Sequence, residues 1–79
     1  MNDELFFSTS DLVLATTLSL TIPIEQLNKA NPKRVLFIFP NSSELKAIVD
    51  EFWLKNVRVE PQNFAEQLRS LKVALHGEK

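Results

Sequence analysis

Chemistry in this chain has few places to start. There is one histidine, His76, and there are no cysteines and no tyrosines among 79 residues. A single imidazole close to one end of the sequence supplies neither a multi-histidine metal site nor a catalytic triad. In the last turn of a helix its ordinary role is to sit as a cation against the negative end of the dipole. The carboxylates Glu44, Asp50 and Glu51 share the second expected helix. A glycosidase-like mechanism needs two such groups aimed at one substrate across a cleft. On a helix the same residues have simpler uses. Glu44 suits a capping role, and Lys46–Asp50 and Glu51–Lys55 have i, i+4 pairing spacing. Ser8, Thr9, Ser10 and Asp11 resemble a nucleophile cluster, but no histidine lies near them in sequence to act as base. Hydroxyls and a carboxylate in a row are what a helix start requires.

The elements that must carry these residues are legible from patterning. Ser8 is the expected N-cap of a first helix, with Asp11 as its reciprocal partner and Phe7 and Leu12 at hydrophobic-staple spacing. That helix continues through Leu14, Ala15 and Leu18. Its apolar residues surround the axis, so it is either buried on several sides or partly exposed. Thr16, Thr17 and Thr21 weaken its propensity. Residues 22–29 read as a strand in which Ile22 and Ile24 alternate. Leu27 breaks the period, which predicts a bulge near Glu25–Gln26. Asn31-Pro32 marks a turn. The next strand, Arg34–Phe39, is apolar on both faces and is expected to be central and covered on both sides. Pro40 then leads into a second helix. It begins after Asn41 with Glu44 at N3, and Leu45, Ile48, Val49 and Phe52 form its stripe, flanked by Trp53. Val57-Arg58-Val59 offers a short third strand. A third helix starts with Pro61 at N1, buries Phe64, Leu68, Leu71 and Leu75, and stops at His76-Gly77. Phe37 or Phe39, Phe52 and Phe64 are expected to meet in one core.

The fold class is therefore α+β: three helices on a small antiparallel sheet of two or three strands, in the order α-β-β-α-(β)-α. Residues 1–79 make one domain. A domain of this length buries only about 60% of its unfolded surface, and without cysteines no disulfide or thiolate metal site supplements it. Gly77 is the only glycine, so a glycine-rich phosphate cradle is not to be expected. No cofactor or metal is implied. The amino-terminal Met-Asn-Asp-Glu is acidic and unlike a secretory leader. The apolar stretch Leu12–Ile24 is interrupted and too short to span a bilayer. The chain reads as cytoplasmic and not membrane-bound.

The segments FFSTSDLVLA, RVLFIF, SSELKAIVDEFW and VEPQNFAEQLRSLK, in that order, resemble a family of small bacterial and phage domains of unknown function. The resemblance covers most of the chain and rests on the combination of T-S-D-L, F-W and L-R-S-L-K. It implies a fold and a prokaryotic or mobile-element origin, and no activity. The family places a glycine after its first helix, whereas this chain has SLTIPIEQ there.

Two functional readings follow, and neither is catalytic. The first is a protein-interaction or regulatory module, with a protein partner or a second copy of itself. It is motivated by Leu54 and Val73, which lie off their helices' buried stripes, and by the all-round apolar first helix. The second is an accessory protein that binds nucleic acid weakly. Its contacts would come from Lys29, Lys33 and Arg34 at the hairpin tip, and from Arg58, Arg69 and Lys72 beyond it. The total of nine basic and ten acidic residues weighs against a dedicated nucleic-acid binder. Residues 29–79 nevertheless carry all nine basic residues against six acidic ones. Whether the six named basic residues share one face separates the two readings.

Overall fold

Six elements form over residues 5–76, which are the residues that the computed structural model describes. They are β1 (Phe6–Thr9), α1 (Leu12–Ser19), β2 (Gln26–Asn28), β3 (Leu36–Pro40), α2 (Ser43–Trp53) and α3 (Pro61–His76). The class is α+β with three helices and a three-stranded antiparallel sheet. The sheet order is β1-β3-β2, so the most apolar strand is central.

The first strand corrects the sequence reading. Residues 6–9 pair antiparallel with β3, Phe7 opposite Phe39 and Thr9 opposite Phe37. Ser8 therefore does not cap α1. The cap is Asp11, whose carboxylate accepts from the amide of Leu14 at 3.1 Å. Thr9 supports it by accepting from the amide of Asp11. The observed order is thus β-α-β-β-α-α.

The middle of helix α1 is buried all round, whereas Val13 near its start is exposed. Leu14, Ala15, Thr16, Thr17 and Leu18 are five consecutive buried residues, and at 100° per residue they face every direction. It packs against α2, α3 and β1. Its buried hydroxyls are satisfied locally: Thr16 donates to the carbonyl of Leu12 at 2.7 Å and Thr17 to that of Val13 at 2.9 Å. This back-bonding lets threonine occupy a core without an orphaned donor. Gln67 of α3 donates to the Ser19 hydroxyl and ties the two helices. Helix α1 ends in right-handed backbone at Leu20, so no glycine is needed where the resembled family has one.

Glu25 and Gln26 both face Ile38. The Glu25 amide donates to the Ile38 carbonyl at 2.6 Å, and Gln26 is its register partner. Glu25 stands just ahead of β2, so this bond extends the pairing by one residue and is not the expected bulge inside a strand. The regular strand β2 is also shorter than residues 22–29, and Ile22 is buried ahead of it. Helix α2 is capped one residue later than expected, by Ser42, whose hydroxyl accepts from the Leu45 amide. Glu44 therefore supplies negative charge in the first turn instead of a reciprocal cap. Helix α3 starts at Pro61 as expected, and the Glu60 carboxylate accepts from the Asn63 amide. It runs to His76; Gly77 lies outside the described residues.

The core consists of Leu14, Ala15, Leu18, Ile22, Phe37, Phe39, Leu45 and Leu71. Phe52 packs half-buried against it. Phe64 is half-buried and stands outside the cluster, so the expected meeting of aromatic rings takes in Phe37, Phe39 and Phe52 but not Phe64. The principal extents are 37 × 35 × 18 Å. The short axis fits one sheet and one helical layer, given packing distances of about 10 Å.

Phe39→Ala is expected to cost about 3–5 kcal/mol, a large share of a typical stability of about 5–15 kcal/mol. Phe64→Ala should cost less, within the ordinary range of about 0.5–3 kcal/mol. Urea unfolding of the two variants checks this; equal losses would place Phe64 in the core after all.

Candidate functional site

Three surfaces could do work, and each follows from how the layers meet. The first is the outer face of the sheet. Side chains alternate along β3, and Phe37 and Phe39 turn toward the helices. Leu36, Ile38 and Pro40 therefore turn the other way, and all three are only half-buried. Their neighbours on this face are Phe6 and Ser8 of β1 and Gln26 and Asn28 of β2. The expectation that this strand is covered on both sides is wrong. The core unites Phe37 and Phe39 with all three helices and excludes Leu36 and Ile38. A strand apolar on both faces signals two buried faces only when the chain supplies two covering layers, and this one supplies one. Phe6, Ser8, Glu25, Gln26 and Ile38 line a shallow depression of about 250 Å³ on this face.

The second surface lies where α2 turns into α3. Here Val57-Arg58-Val59 does not form a strand. It runs as a connector whose Val57 and Val59 line two clefts with Thr17 of α1. The turn before it is a Schellman motif. Asn56 donates to the Glu51 carbonyl, Lys55 donates to the Phe52 carbonyl, and Lys55 is left-handed at φ 63°. Lys55 has therefore left the helix, and the expected i, i+4 pairing with Glu51 lacks its helical geometry. The turn leaves Trp53 and Leu54 largely exposed, with Trp53 held edge-to-face on Phe52 at 5.0 Å. Leu54 is 66% and Val73 67% exposed. Leu54 closes α2, whereas Val73 lies on α3. Leu54 stands before the first turn of α3, and Val73 lies about 18 Å along that helix from Pro61 at 1.5 Å per residue.

The third surface joins the β2–β3 loop to the end of α3. Lys29 donates from Nζ to the carbonyl of Ala74 at 3.0 Å, a cation placed on the negative end of the helix. Lys33 and Arg34 follow in a turn organised by Asn31: its side-chain oxygen accepts from the Lys33 amide and its carbonyl from the Arg34 amide. Both line a cavity of about 430 Å³ together with Ser10, Leu75 and His76.

The six basic residues are thus divided. Lys33 and Arg34 share the loop cavity, and Lys29 is engaged at its side. Arg69 and Lys72 lie on exposed α3 positions in helical register with His76. Arg58 lines a cleft near the other end of α3 with Ala47 and Glu51. The outer sheet face carries none of them. Sequence reasoning missed that face, because Phe6-Phe7-Ser8-Thr9 does not alternate apolar with polar residues; only its burial in the folded chain alternates. Among the described residues no three His, Asp or Glu side chains are placed to hold a metal ion. None of the described helices is long and apolar enough to cross a membrane.

A left-handed lysine costs more than glycine at the same position, by about 1–2 kcal/mol, offset in part by the unfolded-state entropy of glycine, about 0.4–1 kcal/mol. Lys55→Gly should therefore raise the unfolding free energy by up to about 1 kcal/mol. Thermal melts test this; a lower midpoint would mean that the Lys55 side chain contributes more than its backbone costs.

No protein-family model, no curated protein and no solved structure matches this chain.

Proposed function

We propose that this chain is a non-catalytic interaction module that pairs with a second copy of itself through the outer face of its sheet. The observation that carries this reading is the uncovered run of Phe6, Leu36, Ile38 and Pro40 across β1 and β3. Ser8, Gln26 and Asn28 surround it, which gives an apolar centre with a polar, mostly uncharged rim. Glu25 is the one charged residue lining the depression there. A face with so little charge does not repel its own copy, and a two-fold pairing places the same apolar centre on both sides. The slab has broad dimensions of 37 × 35 Å, compatible with the roughly 800 Å² per partner that a standard interface buries. A second copy would also supply the layer that β3 lacks.

The resemblance to small domains of bacteria and phages fits a regulatory or accessory role and adds no activity. The nucleic-acid reading is weaker. Arg58 stands apart from the other basic residues, and of the exposed aromatics Phe6 has no lysine or arginine in the depression beside it, while Trp53 has only Lys55 in its cleft.

Ile38→Lys should turn the dimer into a monomer with little loss of fold, because Ile38 is outside the core cluster. Light scattering across a concentration series reads the mass, and circular dichroism reads the fold. A parent chain that stays monomeric at high micromolar concentration overturns the proposal, as does a dimer indifferent to Ile38→Lys.

A further inference from the structure

We propose that the cavity between the β2–β3 loop and the end of α3 binds a small organic anion with an apolar body, an aryl or acyl carboxylate or phosphate monoester. The cavity measures about 430 Å³, within the range of about 300–1,000 Å³ of small-molecule sites. Its wall is divided by chemistry. Lys33, Arg34 and His76 supply nitrogen donors and Ser10 a hydroxyl, whereas Leu12, Phe37 and Leu75 supply an apolar floor. No aspartate or glutamate lines it. Two adjacent cations without a carboxylate in the wall are suited to an anionic head group through charge-assisted hydrogen bonds. The floor suits a hydrocarbon or aromatic ring, which a free inorganic ion does not offer.

The backbone that carries the donors is held in place before any ligand arrives. The Asn31 turn fixes the backbone of Lys33 and Arg34, and the Lys29–Ala74 hydrogen bond holds the loop against α3. Organisation of this kind lowers the entropy lost on binding. A nucleic-acid backbone makes poorer use of the site, because a duplex presents phosphates to surface cations and cannot bring a ring down to Phe37 and Leu75.

Titration of the full chain with phenyl phosphate, followed by amide NMR, tests the proposal, with inorganic phosphate and phenol as comparison probes. The expected result is saturable shifts at Ser10, Lys33, Arg34, Leu75 and His76, with phenyl phosphate binding at least about tenfold more tightly than either comparison. The double variant Lys33→Gln, Arg34→Gln should weaken binding by about tenfold or more while retaining its unfolding midpoint. Phenol binding as tightly as phenyl phosphate overturns the proposal, as do shifts confined to Phe6, Ile38 and Gln26. A short DNA duplex that shifts the same amides at lower concentration than phenyl phosphate also overturns it and assigns the cations to nucleic acid. Should the double variant fail to fold, the comparison of the three probes on the parent chain decides alone.

Discussion

Everything in this structure depends on giving α1 something to touch on each side. Leu14, Ala15, Thr16, Thr17 and Leu18 leave the helix no polar face, so it cannot lie at a surface. The sheet covers one side through Phe37 and Phe39, α2 another through Leu45, and α3 a third through Leu71. The Val57–Val59 connector approaches the remaining side beside Thr17. The price of using every other element in this way is that none of the described elements is left for the far side of the sheet. The buried helix and the bare face of β3 are two results of one constraint.

The polar groups obey the same constraint. Buried threonines in a helix of eight residues would be costly if their hydroxyls needed distant partners. They bond one turn back instead, to Leu12 and Val13, and so leave the neighbours free to be wholly apolar. Ser19 also bonds back, to the Thr16 carbonyl, and its oxygen in addition accepts from Gln67 on α3. Gln67 lies one turn before Leu71 on the same face of α3, so this bond and the burial of Leu71 are made by one side of the helix.

Legibility followed the range of the interactions. Helix α3 could be read to its first residue, because Glu60, Pro61 and Phe64 form a local signal. The stripe of α2 was equally local, and its cap was misplaced by a single residue among Asn41, Ser42 and Ser43. The broken alternation at Leu27 marked the place where regular pairing is confined to Gln26–Asn28. Strand β1 was not read, because Phe6-Phe7-Ser8-Thr9 acquires its extended form from β3, about 30 residues away. Val57-Arg58-Val59 shows the converse: β-branched residues that pair with neither edge of the sheet remain a connector. Of the surfaces, the exposure of Leu54 and Val73 was legible from helical spacing. The outer sheet face and the loop cavity were not, since both are created by elements distant in sequence.

The bond from Lys29 to Ala74 joins residues 45 positions apart, and Leu75, next to its acceptor, packs against the core. The final turn of α3 is therefore part of the hairpin corner as much as of its own helix. A truncation that removes Ala74 and Leu75 would take away a wall of the loop cavity, the acceptor for Lys29 and a contact of the core together. A helical terminus is ordinarily the safest place to trim or to attach a fusion. In this chain the safe boundary lies beyond Leu75, and shortening from that side acts first on a loop between two strands.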